Sequence, residues 1–183
     1  MESLTICPPA QDSKRGELMT RLFRELQVAR FNELYYQRRS AWFRFQATSA
    51  NVIAALAASV VLANLLASNN NKLFGWGPLV WQVLTLLAAI FAAVGPVLGF
   101  ENKIGQMEKA ALGHSILKDR LQRLLSDLKG SELKESHLAR DREIDAFGSA
   151  LTSLDEAPSE RLREQCWKET LEEYPSDQAW SLV

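Results

Sequence analysis

Hydrophobic and polar positions are unevenly distributed along this chain. Between Arg44 and Glu101 the only charged residue is Lys72, which leaves two uncharged runs, Phe45–Asn71 and Leu73–Phe100. A helix needs about 20 predominantly apolar residues to cross roughly 30 Å of hydrocarbon, and each run exceeds that length. A helix with one face in water carries charges every turn, whereas the most polar positions within these runs are Asn, Gln, Ser and Thr. The pattern predicts two membrane-spanning helices, roughly Ala47–Ala67 and Pro78–Phe100. Ser68–Lys72 is too polar for hydrocarbon, and Gly75 and Gly77 give a flexible turn between the spans.

Outside the runs the period becomes that of amphipathic helices. Met1–Ser13, with Pro8 and Pro9, reads as a flexible tail. From Lys14 onward Leu18, Leu22, Leu26 and Ala29 form one apolar stripe, supported by Glu17–Arg21 and Arg21–Glu25 pairs at helical spacing. Beyond Glu101, Met107, Ala111, His114, Leu121, Leu124 and Leu128 form another, and Gly130 after Lys129 is a stop signal. A further helix is predicted over Glu132–Glu156, where Ile144, Phe147, Leu151 and Leu154 repeat. A last one runs from a Ser159 cap to about Tyr174, ahead of Pro175. The predicted fold is an all-α membrane protein: a two-transmembrane helical hairpin with a long N-terminal cytoplasmic helix and C-terminal cytoplasmic helices. Its parts are a tail at 1–13, a two-transmembrane helical domain at 14–128 and a cytoplasmic helical extension at 131–183.

Charge adds an orientation. The net charge is −1, with 23% charged residues, so the chain is no polyelectrolyte. Arg38, Arg39 and Arg44 precede the first span, Lys103 and Lys109 follow the second, and the loop offers only Lys72. The positive-inside rule then puts both termini in the cytoplasm. Trp42, Trp76 and Trp81, with Arg38, Arg39 and Arg44, are the predicted anchors at the bilayer surfaces, and Tyr35 and Tyr36 fall just below. The arginines are interleaved with Glu17, Glu25 and Glu33, so membrane anchoring is favoured over direct nucleic-acid binding. The opening Met1–Pro9 lacks a basic segment followed by an apolar one, so the first span is expected to act as its own insertion signal. Cys7 and Cys166 form no disulfide framework and read as free thiols.

Within the first run Ala47, Asn51, Ala55, Ser59 and Ala63 recur every fourth residue. Such a stripe lets another helix approach closely, either the second span or another copy, and Asn51 and Ser59 are candidates to line a pore between copies. Gly95 and Pro96 are a candidate hinge, because Pro96 cannot donate to the carbonyl of Ala92. Catalytic and cofactor motifs are absent: His114 and His137 lack metal-ligand spacing, and neither GxxxxGK[ST] nor GxGxxG occurs. No enzyme, metal site or cofactor is expected. Asp141–Asp145 reads as a solvated helix face, and Glu172, Glu173 and Asp177 as a solubilising end.

The basic and aromatic approach Arg38–Trp42, the small-residue first run, the brief loop and the later helix with His114 and Leu121 together resemble the SLATT family of bacterial conflict-system effectors. The resemblance extends over about Arg21–Leu128. It implies an anti-phage effector that oligomerises and permeabilises the bacterial inner membrane in abortive infection. Its implied partners are the lipid bilayer, other copies of itself, and a sensor protein or ribonucleoprotein such as a second-messenger synthase or a retron complex. The alternative is a non-toxic adaptor or assembly protein that holds partners at the bilayer.

Overall fold

The computed structural model describes residues 9–67, 83, 86, 89, 90, 99–151 and 159–175, with side chains described throughout except at 9–12, 57 and 60–67. Among the described residues the long elements are helices α1 (Pro9–Ala67), α2 (Phe100–Gly130), α3 (Glu135–Ala150) and α4 (Glu160–Glu173). The chain divides into two compact units, one of residues 1–38 with 107–183 and one of residues 39–106.

The first unit owes its core to the two stripes. Met19, Leu22, Phe23, Leu26 and Ala29 of α1 cluster with Leu121, Leu124, Leu125 and Leu128 of α2 and Ile144 of α3. These positions lie three or four apart on each helix, so each helix turns one continuous apolar face inward. α1 begins at Pro9, earlier than the tail reading allows. Proline suits the first helical position, where its missing N–H is no loss. At the far end of α2 the carbonyls of Leu128 and Lys129 accept hydrogen bonds from the Arg15 guanidinium at 2.8 and 3.3 Å. The last turn's unpaired carbonyls thereby gain a cationic cap. α3 starts where the Lys134 backbone N–H donates to His137 Nδ1 at 3.2 Å. A side chain on Gly113 would collide with Leu151, whose Cδ2 lies 2.5 Å from where a Cβ would sit, so glycine is what lets Leu151 close against α2.

In the second unit, Gly99 precedes α2 with φ +58°, a left-handed conformation that favours glycine. Its carbonyl accepts the Lys103 N–H at 3.1 Å. Phe43 lies 6.3 Å from Phe100, with Trp42 edge-on to Phe43 at 5.3 Å. Trp42, Phe45, Val52, Ile53 and Leu56 are exposed.

The two-transmembrane hairpin is corrected here, and with it the inner-membrane location and the transmembrane and pore-forming description. Among the described residues, no helix is long and apolar enough to cross a membrane. Uncharged is not the same as apolar: the first run includes Gln46, Thr48, Ser49 and Asn51. Most of the second proposed span, and the loop before it, lies outside the described residues.

Candidate functional site

Two features of the first unit hold chemistry. One is a set of ion pairs that fastens α3 and α4 to α1. Arg21 hydrogen-bonds Asp141 and lies 3.6 Å from Asp145 and 3.8 Å from Glu25. Arg30 meets Glu173 at 2.8 Å, and Arg38 meets Glu169 at 2.6 Å. Glu33, itself buried, accepts from Arg30 at 2.8 Å and from Lys118 of α2 at 3.0 Å. Burial alone would raise the Glu33 pKa, but hydrogen bonds from Arg30, Lys118 and Ser115 outweigh it and hold the carboxyl below its ordinary range. Glu25 has the opposite balance: burial and the neighbouring Asp145 push its pKa up, against the pull of Arg21. Apolar contacts accompany the charges on α4. Cys166 and Thr170 are fully buried, and Trp167 packs edge-on to Phe31 at 5.6 Å.

The other feature is an open pocket of about 550 Å³. α1 lines it along one face from Arg24 to Tyr36, α2 adds His114 and Leu117, α3 adds Ile144, Asp145 and Ser149, and α4 adds Arg163. Tyr36 and His114 stack nearly parallel, 11° apart with centroids 5.6 Å apart. Phe31 stacks on Tyr35 at 6.1 Å. Burial pushes the His114 pKa down, and Glu33 only partly opposes it, so the imidazole is held toward its neutral form. Its Nδ1 is buried with no hydrogen-bond partner among the described residues.

The residues singled out from sequence fall elsewhere. Of the stripe, Ala47 is half-buried, whereas Asn51, Ala55 and Ser59 are exposed. The Ser59 hydroxyl donates to the Ala55 carbonyl at 2.8 Å, a local bond within the helix. The side chain of Ala63, and Gly95, Pro96, Trp76 and Trp81 altogether, lie outside the described residues. Arg38 is brought to Glu169 and Cys166 of α4. In the second unit the Arg39 guanidinium sits over the Phe43 ring at 5.5 Å, while Trp42 and Arg44 are exposed. Tyr35 and Tyr36 are buried in the first unit.

Sequence reasoning found Arg21–Glu25 but missed the ion pairs between helices, although a signal for them exists. Asp141 and Asp145, and again Glu169 and Glu173, are like charges four apart on one helix face. Such pairs repel unless a cation from another element meets them. Asp141 proves buried on Arg21, not solvated, and Glu173 meets Arg30. The chain matches no family model, and no curated protein or solved structure matches it.

Proposed function

We propose that this chain is a non-catalytic effector of a bacterial anti-phage defence system that works by regulated association with a partner sensor and with copies of itself. The observation that carries the reading is the fastening of α3 and α4 to α1 by Arg21, Arg30 and Arg38. The pairs that Arg30 and Arg38 make with α4 reach the surface and are each worth about 0–1 kcal/mol. A partner that competes for the same charges can therefore loosen the layer without unfolding the core. The apolar side chains left exposed on α1, Phe45, Val52, Ile53 and Leu56, support association as the output. The defence setting rests on the SLATT resemblance of the sequence.

The test is phage challenge of a bacterium carrying the gene with its chromosomal neighbours. Plating efficiency should fall clearly relative to the same locus without this chain. Glu169→Gln with Glu173→Gln should change that protection while the protein level stays constant. Equal plating with and without the chain across a diverse phage panel would overturn the defence reading. Protection that ignores the double substitution would remove α4 from the regulation.

A further inference from the structure

The pocket on the first unit has a lining that is chemically specific. Its floor is aromatic: Phe31, Tyr35 and Tyr36 lie on one face of α1 and the His114 ring is parallel to Tyr36, while Tyr35 crosses Tyr36 at 72°. Rings grouped in this way favour a flat ligand, which can meet them by stacking or edge-on.

The charge at the pocket is equally uneven. Two lining carboxylates, Glu25 and Asp145, already share Arg21 at 3.8 and 3.6 Å. Arg21 also serves Asp141, so three carboxylates share one cation, while the two lining guanidinium groups, Arg24 and Arg163, have no ion-pair partner among the described residues and can meet a ligand anion. Guanidinium groups pair most strongly with carboxylate and phosphate. His114, 8% exposed, lines the same pocket and carries the unpartnered Nδ1. A buried polar atom without a partner is unusual in a folded protein and marks a place where a ligand atom has something to gain. The volume of about 550 Å³ suits a small molecule.

We propose that this pocket binds a small planar aromatic molecule bearing an acidic group, its ring along the Tyr36–His114 floor and its acid on Arg24 and Arg163. Two sources share that chemistry, a nucleoside monophosphate and an aromatic carboxylate. The inference rests on the pocket alone and stands apart from the defence reading.

The test is calorimetric titration of the purified full chain with adenosine monophosphate and with 2-naphthoate. Adenosine, 2-naphthol and inorganic phosphate serve as the corresponding halves. At least one ring-plus-acid probe should bind about tenfold or more tighter than each of its halves, and more weakly as salt rises. Whichever probe binds tighter names the source. Arg24→Gln with Arg163→Gln, both exposed in the fold, should cost that probe about tenfold or more and leave the neutral ring unchanged. Ser149→Trp, on an exposed lining residue, should abolish binding of ring and acid alike without altering the thermal melt. Equal affinity for the acid and its neutral half, or full affinity in the double-arginine variant, would overturn the proposal. So would no binding of either acid at millimolar concentration.

Discussion

His114 is a titratable ring in a place where its charged form is disfavoured. It is buried against Tyr36, and burial lowers its pKa from 6.5. The unfolded chain therefore binds a proton more readily than the folded one just below that value. Stability is then full above the unfolded pKa and declines as pH falls from 6.5 toward the lower folded value. Glu25 acts with the opposite sign, because its folded pKa lies above 4.5: its contribution is present below that value and fades as pH rises through the folded one. Melting temperature is expected to drop between about pH 7 and pH 5, and His114→Gln should flatten that slope. An unchanged slope in the variant would mean that another group governs acid sensitivity.

At the scale of elements, α4 is the helix with the most polar attachment. Its fixed points are Cys166 and Thr170, with Glu169 on Arg38 and Glu173 on Arg30 at its exposed side. Neutralising both acids with Glu169→Gln and Glu173→Gln should cost about 0.5–2 kcal/mol in total. Hydrogen exchange is the sharper readout: amides of Glu160–Glu173 should exchange faster while the buried face of α2 keeps its protection. Molar salt should produce the same pattern in the unaltered chain. Helices of this kind were legible in the sequence where burial enforced a period. Leu22, Leu26 and Ala29, and Met107, Ala111, His114, Leu121, Leu124 and Leu128, are buried as their spacing suggests, and Gly130 ends α2. Their partners were not legible, because periodicity says which face is covered and not by what. Tyr35, Tyr36 and Arg38 were therefore assigned to a bilayer surface, although α2 and α4 supply their neighbours. Absence of charge likewise misled over the first run, since no helix among the described residues is long and apolar enough to cross a membrane.

At the scale of the molecule, the first unit joins residues far apart in sequence. Its core needs Met19–Ala29 and Leu121–Ile144 together, so neither segment can bury its stripe alone. Leu22 and Leu121 are both fully buried in that cluster. Truncating either removes transfer energy and leaves a cavity that its neighbours fill only in part, a loss of about 2–5 kcal/mol. Leu112, 62% exposed on α2, has little to lose, and its replacement by alanine should change stability by about 0.5 kcal/mol or less. Denaturant unfolding of Leu22→Ala, Leu121→Ala and the double variant measures this. Because both side chains belong to one packed cluster, the double variant should depart from the sum of the single ones by more than about 0.5 kcal/mol. Strict additivity, with Leu112→Ala as costly as either, would mean that α1 and α2 do not share a core.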